Sequence, residues 1–102
     1  MDNILFQDNT YRLYHNDAGL FLEVKQHRFV LSEHAYEPVL FIKDLDSGKE
    51  VVWHDSFDLT FVVEDFSKGD FTQYRGVPFT KKQFCDAVYR PFMPTLEAPT
   101  SM

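Results

Sequence analysis

Short apolar runs recur along this chain at roughly 8–12-residue spacing, each closed by turn-forming residues, and that rhythm is what most limits the folds open to it. It is the pattern of an all-β meander, sandwich or barrel, in which each run is a strand. Thr10 to His15 and Leu20 to Lys25 flank Asn16-Asp17-Ala18-Gly19, where Gly19 can take a left-handed conformation and close a hairpin loop. Leu20, Leu22 and Val24 share one face, yet Phe29 and Leu31 have the opposite parity. Side chains alternate with period two, so a tight turn or bulge is expected near Gln26-His27 to bring both sets to one face. Ser32 to Pro38 reads as a loop, and Val39 to Ile42 as a strand covered on both sides. Asp46-Ser47-Gly48-Lys49 has type I turn chemistry followed by a left-handed glycine, which predicts that Glu50 to His54 returns antiparallel. Leu59, Phe61 and Val63 alternate with Thr60, Val62 and Glu64 as in a further strand. Ser67 to Asp70 then turns into Phe71 to Arg75, and Gly76-Val77-Pro78 ends the β region.

One helix is expected, over about 81–90. Thr80 is an N-cap with Gln83 three residues on, a capping box, and Phe79 before the cap faces Phe84 as a hydrophobic staple. Phe84, Ala87 and Val88 make the apolar stripe, with Cys85 and Tyr89 beside it. Pro91 disfavours helical geometry at Arg90 and closes the segment. Lys81 and Lys82 oppose the helix dipole and are expected in solvent. The fold class is thus α+β and predominantly antiparallel: seven or eight short strands in a sandwich or partly open barrel, with one short C-terminal helix. Residues 1–92 form a single domain, and 93–102, with Pro94 and Pro99, an extended or disordered tail. This plan resembles small barrels capped by a C-terminal helix, including the pleckstrin-homology-like plan, in architecture alone. Asn16-Asp17 is acidic where a phosphoinositide-binding loop is basic, so the resemblance implies no lipid ligand.

Sixteen acidic against ten basic residues give a net charge of −6, which argues against nucleic-acid or anionic-membrane partners, since both need clustered Lys and Arg. Cys85 is the only cysteine, so no intrachain disulfide forms. Met1-Asp2-Asn3 lacks the positive start of a secretory signal, and a cytoplasmic setting is the expectation. Eleven Phe, five Tyr and one Trp are many rings for one small domain; core packing accounts for them first, and an exposed patch at an interface or a ligand pocket is the alternative. The same excess is compatible with a C₂ homodimer.

Catalytic signatures are weak. His15, His27, His34 and His54 include no pair at metal-ligand spacing. His54-Asp55-Ser56 has the residue types of a hydrolase triad, but neighbours on a strand point to opposite faces. Cys85 on an apolar helix stripe reads as a packed thiol. Asp44 and Asp46 read as turn residues, because the register of a calcium loop is missing. No cofactor and no metal are expected. Trp53, His54, Tyr74 and Arg75, near strand ends, are of types that anchor interfaces, and they are the candidate binding residues. Three functions remain. The first is a non-catalytic protein-binding module of inhibitor, immunity or accessory type, acting through an acidic, aromatic-rich surface on a partner with a basic surface. The second is a small-molecule binder with an aromatic-lined pocket. The third is a small enzyme using dispersed Asp, Glu and His residues.

Overall fold

The computed structural model describes residues 1–33, 39–53 and 59–96. Six strands run antiparallel in sequence order as one open sheet: β1 (Asn3–Gln7), β2 (Tyr11–Asn16), β3 (Gly19–Val24), β4 (His27–Glu33), β5 (Leu40–Asp44) and β6 (Glu50–Trp53). Helix α1 (Leu59–Lys68) follows, then a separate hairpin of β7 (Phe71–Tyr74) and β8 (Val77–Thr80), and then helix α2 (Lys81–Tyr89). The predominantly antiparallel class with a short C-terminal helix is therefore observed, with eight strands; β1 and β6 do not pair, so the sheet is not a closed barrel. Among the described residues no helix is long and apolar enough to cross a membrane.

The parity switch predicted near Gln26-His27 is a two-residue turn. Val24 pairs with His27, Leu22 with Phe29 and Leu20 with Leu31, which brings both apolar sets to one face. A turn this short that follows the strand twist needs positive φ at both central residues, and Lys25 (φ 48°) and Gln26 (φ 71°) supply it without glycine. Such a backbone costs a side-chain-bearing residue about 1 kcal/mol or more. We expect Lys25→Asn with Gln26→Gly to raise unfolding free energy by about 1–2 kcal/mol in urea titrations. A loss of stability would mean that these side chains contribute more than the strain removes. The Asp46–Lys49 turn also forms as expected, with Gly48 at φ 80° and the Gly48 N–H donating to the Asp44 carbonyl at 2.8 Å.

Residues 59–68 are a helix where alternation suggested a strand. Leu59, Val62, Val63 and Phe66 fall at i, i+3, i+4 and i+7, and all four pack on the core. Phe61, on the expected strand face, is instead 63% exposed. Both periods fit so short an apolar run, and burying Phe66 with Val62 decides between them. The Glu33 carboxylate accepts the Leu59 N–H at the start of α1.

Helix α2 begins as expected. Thr80 Oγ1 accepts the Gln83 N–H at 3.1 Å, Gln83 Oε1 accepts the Thr80 N–H at 2.9 Å, and the Phe79 and Phe84 rings lie 6.4 Å apart. Beyond it, Arg90–Phe92 form a tight 3₁₀ turn, and Met93–Leu96 form a further helical turn at the start of the segment expected as an extended or disordered tail. Lys81 is not a solvated lysine: its ammonium donates to the Leu5 carbonyl at 2.8 Å, at the point where β1 bulges between Ile4 and Phe6.

Both helices pack on the face formed by Leu13, Leu22, Phe29, Leu31 and Ile42, giving two layers around one core. Phe84 is fully buried among Phe66 of α1 (5.5 Å between ring centroids), Trp53 of β6 (6.1 Å) and Phe79 of β8. Phe41, expected to be covered as part of a central strand, lies on the opposite face and is half-buried.

Candidate functional site

Docking the β7–β8 hairpin and the end of α2 beside β6 creates a cleft of about 400 Å³. Val51, Val52 and Trp53 form its β6 wall, and Tyr74, Phe79, Ala87, Arg90 and Pro91 form the facing side. Trp53 and Tyr74, both half-buried, sit 6.4 Å apart between ring centroids with their planes at 50°. Phe79 stacks at a tilt on Tyr74, 5.1 Å away. The hairpin turns through Arg75 (φ 54°) and Gly76 (φ 80°), a geometry that carries the exposed Arg75 back over the Tyr74 ring, with the guanidinium carbon 5.2 Å from its centroid.

Of the four candidate residues, the structure brings Trp53, Tyr74 and Arg75 together, and His54 lies outside the described residues. Phe79, Arg90 and Pro91 also line the cleft, and no sequence feature marks them as binding residues. Phe79 and Arg90 carried a signal only for helix α2, as its staple and its last residue. Among the described residues, the lining offers rings, aliphatic carbon and one guanidinium. Such a surface suits apolar groups and anions.

A second, polar cleft of about 610 Å³ lies where three turns meet at one end of the sheet, lined by Asp8, Tyr11, Lys25, His27 and Asp46 among others. Beside it His27, Asp44 and Asp46 place one ligand atom each within 4.8 Å of one another, so these are the residues that could share a cation. No spacing rule finds this trio, because the β4–β5 pairing assembles it. Asp44 is completely buried. Burial alone would raise its pKa, but the Asp46 N–H (2.9 Å), the Ser47 hydroxyl (2.8 Å) and the adjacent His27 outweigh it and hold the carboxyl below its ordinary value. An ionised Asp44 can only accept, so the 2.9 Å contact from His27 Nδ1 is a donated N–H. Asp46 Oδ2 accepts the Arg28 N–H at 3.0 Å. These atoms are thus engaged in shaping the β5–β6 turn, in keeping with the turn chemistry read from sequence.

Nearby, the Tyr11 hydroxyl donates to Asp86, and burial followed by that carboxylate pushes the hydroxyl pKa up. Cys85 is fully buried, and burial pushes its thiol pKa up, so little of it is thiolate near neutrality. His54-Asp55-Ser56 lies outside the described residues.

Comparison of the chain with protein-family models, with curated proteins and with solved structures finds no match.

Proposed function

We propose that this chain is a non-catalytic protein-binding module whose contact surface is the aromatic cleft, with Trp53, Tyr74 and Arg75 as anchors. The observation that carries this reading is the meeting of Trp53 with Tyr74, which come from the main sheet and from the separate hairpin. Trp, Tyr and Arg dominate binding energy where they sit in pockets ringed by residues that exclude water, and Val51, Val52 and Pro91 form such a surround. The net charge of −6 adds long-range attraction to a partner with a basic surface and predicts binding that weakens as salt rises. A cytoplasmic setting belongs to the same reading, supported by a single cysteine held buried.

Affinity capture from lysate of the native host tests it. Wild-type protein is expected to retain one stoichiometric partner at moderate salt. Tyr74→Ala or Trp53→Ala should weaken that complex by about 30-fold or more, the effect of losing a ~2 kcal/mol anchor, with the far-ultraviolet circular dichroism unchanged. A complex indifferent to both substitutions, or no complex, rejects the reading. A small apolar ligand in the same cleft is the second reading, favoured by a volume that lies within the ~300–1,000 Å³ of small-molecule sites. Thermal stabilisation by a metabolite would support that alternative.

A further inference from the structure

The β4–β5 pairing brings an imidazole and two carboxylates together at the wall of the polar cleft, a place that shares no lining residue with the aromatic cleft. His27 Nδ1 lies 2.9 Å from Asp44 Oδ2 and 4.0 Å from Asp46 Oδ2, and one ligand atom from each residue falls within 4.8 Å of the other two. Bonds of about 2.0–2.2 Å from nitrogen and oxygen to one ion put the donors roughly 3.0–3.5 Å apart. His27 and Asp44 already have that spacing, and the third donor needs a shift of about 1 Å. Asp46 can supply it, since its side chain is 55% exposed while that of Asp44 is fully buried.

The surroundings hold these groups as a metal site requires. His27 opens β4 directly after the Lys25-Gln26 turn, and its ring stacks on Phe29 at 6.3 Å between centroids. Asp44 closes β5 opposite the same Phe29. The Asp46 N–H donates to Asp44 Oδ1, the Ser47 hydroxyl to Asp44 Oδ2, and the Arg28 N–H to Asp46 Oδ2. Partners of this kind orient the ligands of metal sites, and a carboxylate oxygen that accepts one hydrogen bond keeps a second lone pair. Binding replaces only the bond from His27 to Asp44: the ion takes the place of the proton on Nδ1, and the neutral ring carries its hydrogen on Nε2.

The cleft is a second and independent observation. It encloses about 610 Å³ and is lined by His27 and Asp46, with Asp44 behind them. An ion shared by the three therefore has a route of entry from solvent and room for water in its remaining positions. Arg12 and Arg28, which also line the cleft, are drawn to Glu23 at 3.6 and 3.3 Å, a carboxylate outside the trio. The donor set selects the ion. One imidazole nitrogen with two carboxylate oxygens suits divalent transition ions such as Zn²⁺, whereas Ca²⁺ and Mg²⁺ favour shells made of oxygen alone.

We propose that His27, Asp44 and Asp46 form a binding site for one divalent transition-metal ion of the zinc class, with its open coordination positions facing the polar cleft. This site stands apart from the protein-binding reading, and neither depends on the other.

The test uses the full chain, stripped of metal with a chelator, dialysed and titrated by calorimetry with Zn²⁺, Ca²⁺ and Mg²⁺. One Zn²⁺ per chain is expected, bound about 100-fold or more tightly than the other two. Zn²⁺ at about 100 times its Kd should raise the melting temperature by roughly 10 °C. His27→Gln should weaken zinc binding by about 100-fold, and Asp46→Asn by about 10-fold or more. Ser47→Ala loosens Asp44 without touching the ion and should cost about 10-fold. His15→Gln, at a histidine outside the trio, should leave the affinity unchanged. Nitrogen-15 spectra of the wild-type imidazoles give a readout that needs no variant to fold: zinc should move the His27 Nδ1 signal and leave Nε2 protonated. Zinc affinity indifferent to His27→Gln, Ca²⁺ bound as tightly as Zn²⁺, coordination through Nε2, or a Kd for Zn²⁺ weaker than about 1 mM would each overturn the proposal.

Discussion

Phe84→Ala is expected to remove most of this protein's stability. Phe84 is fully buried, and its ring is the common neighbour of α1, β6 and β8 through Phe66, Trp53 and Phe79. Truncating such a ring removes its transfer free energy and leaves a cavity that four separate elements would have to move to fill, at a cost of about 3–5 kcal/mol. A domain of this size has roughly 5–15 kcal/mol in total. Each kcal/mol lowers the melting temperature by ~4–8 °C at this chain length, so a fall of tens of degrees is expected in a thermal scan. Phe84→Leu, which keeps most of the volume, should lose less than half as much. A loss below about 1 kcal/mol for the alanine variant would show that the layers are joined elsewhere.

Asp44→Asn should cost about 2–4 kcal/mol at neutral pH, and the cost should depend on acidity. The carboxylate accepts the Asp46 N–H, the Ser47 hydroxyl and the His27 Nδ1–H, while its own backbone N–H and carbonyl pair with Lys49 and Gly48. An amide presents one oxygen where three donors converge, and its NH₂ meets a donor. The pH dependence has a definite sign. Burial raises the folded pKa of Asp44, the donors outweigh burial, and the net value lies below 3.8. The unfolded chain therefore binds more protons than the folded one around pH 3–4, and stability rises with pH through that window. The contribution of the carboxylate is fully present above about pH 5 and is lost as pH falls through the depressed folded value. Wild type and Asp44→Asn should thus converge in unfolding free energy as the medium is acidified below about pH 4. A gap that stays constant down to pH 2 would refute the assignment of Asp44 as the charged centre of this turn.

The sequence is most legible where a few neighbouring residues decide the outcome. The capping box of Thr80 and Gln83, the Gly48 turn and the parity switch before His27 are local, and each formed at its expected place. It is ambiguous where a short apolar run satisfies two periods. Residues 59–68 took the helical one because Phe66 could then reach Phe84, a contact that no local window contains. Strict alternation is also missing from β1, where a bulge breaks it, and from β8, where Pro78 disguises a strand of a small separate hairpin. The cleft was legible by residue type and not by position. Trp53 and Tyr74 were marked as strand-end aromatics, but their meeting, and the arrival of Arg90 beside them, depends on how the hairpin and α2 dock against β6.

The order of elements also governs how the chain is made. Every pairing in the main sheet joins strands consecutive in sequence, so the meander can zip up hairpin by hairpin as it emerges from the ribosome. Among the described residues, the helices that cover its apolar face, with Leu13, Leu22, Phe29 and Ile42, are α1 and α2, which are translated later. During synthesis the nascent sheet therefore presents a sticky surface for the whole interval between its own completion and the exit of Phe92, the period in which holdase chaperones and aggregation compete for such a chain.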